Sequence, residues 1–179
     1  MPLNEAWQTA EIPGPKKASL IVKPEIADAM IIRARRPIMI VGHGILEYEV
    51  EGSLLIDCLI NLARKGSIPV VTTASTNREF LSRGFNPAAI MPAVDIANRL
   101  TDPGWKGLDG KEPYDLAIFA GLPYSMEWTI LSGLKHFAPM VKTMTLDCIY
   151  QPNASWSFPN STIKEWAASL RAIVENLGD

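Results

Sequence analysis

The chain has 179 residues, 47% of them apolar and 20% charged, with a formal net charge of −2 and a sequence pI of about 5.7. That length and balance suit one folded domain with a sizeable core and exclude a disordered polar tract. The near-neutral charge leaves no electrostatic footprint for nucleic acid or an anionic membrane. Two cysteines and two histidines, all far apart, are too few for an iron–sulfur cluster or a structural zinc held by this chain alone.

Met1 to Lys17 shows no basic start followed by an apolar core, so no signal peptide is expected. No run reaches the roughly 18–20 apolar residues that a membrane helix needs. A cytoplasmic location is the expectation, and the sequons at Asn153 and Asn160 then carry no weight for glycosylation.

Residues 1–20 read as an N-terminal arm. Pro2, Pro13, Gly14 and Pro15 break any periodicity, and Trp7 is its one large apolar anchor, so the arm either fringes the domain or docks on a partner. Residues 21–179 read as a single α/β domain. Pro24 suits a first helical turn, with Ile26, Met30 and Ala34 stacked behind it, and Arg35-Arg36-Pro37 ends that helix. Ile38 to Val41 is a short continuous apolar run closed by Gly42-His43-Gly44, as expected of a strand buried on both faces.

A helix is expected over about 46–65, with Leu46, Val50, Leu54, Cys58 and Leu62 on one stripe and a basic last turn before Gly66. Ile68 to Thr72 follows as a strand. One or two short helices fill 75–100, and a Gly/Pro/Asp-rich loop runs from Thr101 to Pro113. Leu116 to Ala120 is a third strand, 124–137 a helix, and Val141 to Leu146 a fourth strand. Lys142, Thr143 and Thr145 make that last strand polar enough to place it near a sheet edge. The final helix begins at a capping box, Thr162 with Glu165, and lines Ile163, Trp166, Leu170, Ile173, Val174 and Leu177 on one face. This alternation predicts a doubly wound, mostly parallel sheet with helices on both faces.

In such a sheet, ligands bind outside the carboxyl ends of the strands. The candidate cofactor-binding residues are therefore Gly42, His43, Gly44, Thr73, Ser75 and Gly121, where glycine amides and hydroxyls could cradle a nucleotide phosphate. The pattern is neither a dinucleotide fingerprint nor a phosphate-binding P-loop, because Glu47 stands where a third glycine would be. Glycines at strand ends serve equally well as plain turns. His43, with no carboxylate or cysteine beside it, fits a hydrogen-bonded loop residue, and His136 fits a partner of a helix dipole. Cys58 reads as a core thiol and Cys148 as the more accessible one. No nucleophile elbow or paired-carboxylate spacing appears, so no catalytic residue is assigned. Trp105, Trp128 and Trp156 lie in or near loops, and interface contact or satellite packing would each account for them.

Several segments together resemble a known family. They are Arg35-Arg36-Pro37-Ile38-Met39-Ile40-Val41-Gly42, Ile68-Pro69-Val70-Val71-Thr72-Thr73, Leu100-Thr101-Asp102-Pro103-Gly104-Trp105-Lys106-Gly107-Leu108-Asp109-Gly110 leading into Tyr114-Asp115, and Gln151-Pro152-Asn153-Ala154-Ser155-Trp156-Ser157-Phe158. In order and spacing the chain resembles the epsilon subunits of the acetyl-CoA decarbonylase/synthase (carbon monoxide dehydrogenase) complexes of methanogens and related archaea.

The resemblance implies a fold like the central domain of thiamine-diphosphate enzymes, related to FAD- and NAD-binding domains. It also implies a large nickel–iron–sulfur alpha subunit as partner, with hetero-oligomer formation or self-association. The expected role is non-catalytic: stabilising the CO dehydrogenase component, with electron transfer to FAD as a further implied role. The alternative is a stand-alone flavin- or nucleotide-binding protein using the carboxyl edge of the sheet. The Gly121-Leu122-Pro123 turn departs from a phosphate loop, since proline removes an amide donor.

Overall fold

The computed structural model describes residues 17–50 and 53–177. The amino-terminal arm up to residue 16, Trp7 included, lies outside the described residues. Hydrophobic runs of four or five residues become buried strands, and the amphipathic segments between them become helices. In chain order these are β1 (Ser19–Leu20), α1 (Pro24–Arg33), β2 (Pro37–Val41), β3 (Glu49–Val50), β4 (Ser53–Leu54), α2 (Leu55–Lys65), β5 (Val70–Thr72) and α3 (Ala74–Ser82). There follow β6 (Ala89–Ile90), α4 (Ala93–Thr101), β7 (Leu116–Ala120), α5 (Tyr124–Phe137), β8 (Lys142–Thr145), β9 (Trp156–Ser157) and α6 (Ile163–Asn176).

Seven strands form one sheet in the order β1-β9-β8-β7-β2-β5-β6, and every neighbouring pair is parallel. The doubly wound expectation therefore holds. The sheet grows outward from β2 in two directions, through β5 and β6 on one side and through β7, β8 and β9 on the other. The carboxyl ends of β2 and β7 thus flank the point where the strand order reverses, which is where an open α/β sheet opens a crevice.

Alternation along the strands splits the core into two apolar layers. Met39, Val41, Ile118 and Met144 point to one face, beneath α1, α2 and α6. Ile38, Ile40, Ala117 and Phe119 point to the other, beneath α4 and α5. Trp166 and Leu170 of α6 are almost completely buried in the first layer. The capping box expected at Thr162 is formed: Glu165 N donates to Thr162 Oγ1 at 3.3 Å, and Thr162 N donates back to Glu165 Oε2 at 2.9 Å. No helix of the described residues is long and apolar enough to cross a membrane.

Three expectations need correction. The helix predicted from residue 46 begins only at Leu55. A short 3-10 turn over His43–Glu47 and the β3–β4 hairpin stand in its place. The real helix buries Leu55, Ile56, Leu59, Ile60 and Leu62, leaving Cys58 half-buried at the margin of the core. Second, β8 is not an edge strand; it lies between β7 and β9. Lys142 is exposed, while Thr143 and Thr145 are buried; for Thr143, Ser155 N donates to Oγ1 at 2.9 Å, and Thr143 N donates to Ser155 Oγ at 3.1 Å. Third, Cys148 is buried, not accessible.

Candidate functional site

Gly42 and Gly121 close the carboxyl ends of β2 and β7. Their backbones approach so tightly that a Cβ on Gly42 would lie 2.4 Å from the Gly121 carbonyl oxygen. Gly121 adopts φ +71°, which glycine tolerates best, and a Cβ there would lie 2.6 Å from Ile45 N. Hydrogen bonds lock the crossing. Gly42 N donates to Ala120 O at 2.9 Å and Gly44 N to Gly121 O at 2.8 Å. Gly121 N donates to the Asp147 carboxylate, 2.8 Å from Oδ1 and 3.0 Å from Oδ2.

Above this crossing lies a cavity of about 360 Å3, within the size range of small-ligand sites. Its lining includes His43, Gly44, Glu47, Tyr48, Gly121, Tyr124, Glu127, Asp147, Gln151 and Trp166. Among the described residues, neither lysine nor arginine lines it. Trp166 is fixed by its indole N–H, which donates to Leu146 O, and its ring meets Tyr48 edge-on at 5.2 Å.

The sequence expectation placed six residues here, and the structure brings four of them together: Gly42, His43, Gly44 and Gly121. Thr73 and Ser75 lie on the other flank of β2, at the start of α3, and do not line this cavity. Thr73 N donates to Val41 O, and its hydroxyl shares hydrogen bonds with Ser75 Oγ at 3.2 Å and Thr76 Oγ1 at 3.0 Å.

Sequence reasoning missed the acidic floor. Glu127, in the first turn of α5, is 1% exposed and meets Asp147 at the exit of β8. Burial first, then the Asp147 charge, pushes the Glu127 carboxyl well above the usual range. Burial pushes the Asp147 carboxyl up to about 6, against the opposing effect of its hydrogen bonds with Glu127 and Gly121 N–H. Two carboxyls in contact cannot both ionise freely, so the pair favours a state in which they share one proton. Gln151 completes the floor, its Nε2 donating to Tyr124 O at 3.1 Å and to Glu127 Oε2 at 3.4 Å. The only sequence hint of these roles was a carboxylate just past β8, because Glu127 reads as an ordinary partner of a helix N-terminus.

A flavin dinucleotide would need free donors for its diphosphate at this crossing. The amides of Gly42, Gly44 and Gly121 are all donated to protein acceptors, Pro123 has no amide proton, and three carboxyl groups line the cavity. The residues present at this cavity do not fit a diphosphate. Among the described residues, no three His, Cys, Asp or Glu side chains gather as a metal site. Burial raises both thiols, Cys58 and Cys148, away from the reactive thiolate form.

Fold and crevice together define an open, doubly wound α/β domain with an acidic, aromatic-walled cavity at its switch point. The family model for CO dehydrogenase beta subunit/acetyl-CoA synthase epsilon subunit matches residues 1–174, and the chain belongs to that family. It is 41% identical to acetyl-CoA decarbonylase/synthase complex subunit epsilon of Methanothermobacter thermautotrophicus, over 89% of this chain and 88% of that one. It is 34% identical to the subunit of the same name from Methanothrix soehngenii, over 86% of this chain and 80% of the other. Subunit epsilon 1 of Archaeoglobus fulgidus is 33% identical, over 98% of this chain and 94% of its own length.

Proposed function

We propose that this chain is a non-catalytic subunit of an acetyl-CoA decarbonylase/synthase complex and stabilises the large alpha subunit that carries the nickel–iron–sulfur chemistry. The observation that carries this reading is the match over nearly the whole of relatives named as subunits of that complex. Exposed apolar side chains at the carboxyl end of α5 support it: Phe137 is 73% exposed and Met140 84%, a surface that a partner could cover. Trp105 is a poorer anchor than its loop position suggested. It is half-buried against the second core layer, with its ring 5.7 Å from that of Tyr114.

The experiment is to express the alpha subunit with and without this chain and follow thermal inactivation of CO oxidation. Slower inactivation and co-purification are expected when the chain is present. Identical inactivation, with no co-purification, would overturn the reading. The second reading, a flavin carrier that helps pass electrons to FAD, draws support from the switch-point crevice alone, and the spent glycine amides weigh against it. Titrating the purified chain with FAD should then give no saturable binding at this cavity.

A further inference from the structure

The floor of the cavity is a surplus of acceptors. Gln151 and Glu127 are each only 1% exposed, yet Gln151 Oε1 and Glu127 Oε1 have no hydrogen-bond partner. The Gln151 amide is oriented by the two acceptors facing its Nε2, Tyr124 O and Glu127 Oε2, which leaves its oxygen as the orphan. A buried acceptor without a donor is costly, and so is a buried carboxyl pair without a counter-charge. Tyr48, Tyr124 and Trp166 are among the residues lining the space around this floor, an aromatic setting in which a cation can be held, with Glu47 at the exposed rim. Among the described residues, an anion would meet three carboxyl groups and no basic side chain other than His43.

We propose that this cavity is a socket for a cationic nitrogen group, a guanidinium or an alkylammonium, held between the Glu127–Asp147 pair, Gln151 Oε1 and the aromatic wall. Such a group supplies the donors that the floor lacks and the positive charge that the pair lacks. A guanidinium matches best, since its planar fork can serve a carboxylate and an amide oxygen together. Other titratable groups facing the pair are His43, Glu47, Tyr48, Tyr124 and Cys148. A bound cation favours the fully ionised pair, so binding expels the shared proton. The inference does not depend on the accessory-subunit reading, because the cation can be a free small molecule or an arginine or lysine side chain of a partner.

The test is calorimetry on the full-length chain with argininamide as probe, citrullinamide as its uncharged counterpart, and ADP as a diphosphate. Argininamide should bind saturably, with a dissociation constant on the order of 1 mM for so small a ligand. It should release protons, seen as a heat that changes with the ionisation enthalpy of the buffer. Citrullinamide should bind about tenfold more weakly, and Glu127→Gln should weaken argininamide by a similar factor, the scale of one lost charge-assisted hydrogen bond. Glu47→Gln, at the exposed rim, should weaken it less and leave the fold untouched. Equal binding of argininamide and citrullinamide, tighter binding of ADP, or no saturable heat would each overturn the proposal. If argininamide also dissociates the chain from its complex, the natural cation is a partner's side chain. If the assembled complex still binds argininamide, the cation is a free molecule.

Discussion

Two aspartates staple the two ends of the same sheet, and the contrast between them separates structure from site. At the amino edge, Asp115 precedes β7 and accepts the amides of Arg35 at 2.8 Å and Arg36 at 2.9 Å, just before β2. Charges there are matched. Arg36 donates to Asp109 at 2.7 Å, and its guanidinium lies 5.1 Å from the centre of the Tyr114 ring. At the carboxyl edge, Asp147 follows β8 and accepts the amide of Gly121, but its nearest titratable neighbour is another carboxyl. One edge is electrostatically closed, while the other is left with excess negative charge and orphan acceptors. A fold with no use for the second arrangement would gain by replacing it with matched or apolar groups. The unmatched edge is therefore where a ligand or partner should be sought.

The largest effect should come from the crossing itself. Gly42→Val drives a branched side chain into the Gly121 carbonyl, and a loss of at least about 3 kcal/mol is expected. Denaturant unfolding of the variant would measure it; an unchanged midpoint would mean that β2 and β7 do not meet as closely as described. Next comes Asp115→Ala, which strips two amides of a charged acceptor and should lower stability by about 2 kcal/mol at neutral pH.

The third variant turns on pH. Both carboxyls of the Glu127–Asp147 pair lie higher in the folded chain than when unfolded. Their contribution is therefore fully present below the ordinary carboxylate range and is lost as pH rises, through about 6 for Asp147 and above the usual carboxylate range for Glu127. Displacement of the Asp147 carboxyl alone sets a ceiling of about 3 kcal/mol. Glu127→Gln should flatten this decline, so that variant and wild type converge or cross on the alkaline side in melting experiments. Parallel pH profiles would show the pair to be electrostatically silent and would dissolve the contrast between the two edges.

The most distinctive stretch of sequence, Thr101 to Asp115, builds the amino edge, the end opposite the acidic cavity. Its glycines and aspartates serve turns and pairings: Gly107 sits at φ +76° against Glu112 O and the Tyr114 ring, and Asp109 receives Arg36. What could be read directly was periodic or locally punctuated, namely β2, β7, α5 and α6 with its cap. The start of α2 was misplaced because Leu46, Val50 and Leu54 happen to continue its helical stripe backwards through a hairpin. The two-residue β6 has no pattern to detect. The carboxyl pair was invisible because Glu127 and Asp147 stand twenty positions apart, and only the parallel pairing of β7 with β8, under α5, brings them together.

The outermost strand has a consequence for biosynthesis. β1 precedes the other described strands in the chain, yet its sheet partner is β9, with Ser19 beside Trp156 and Leu20 beside Ser157. Ala18 N also waits for Pro152 O, and Ile21 N for Ser157 O. This early strand thus depends on a late one, and a product truncated before residue 156 would leave it without its ladder. Long-range pairing of this kind closes late, so β1 stays unpaired and open to proteases and chaperones until β9 has formed.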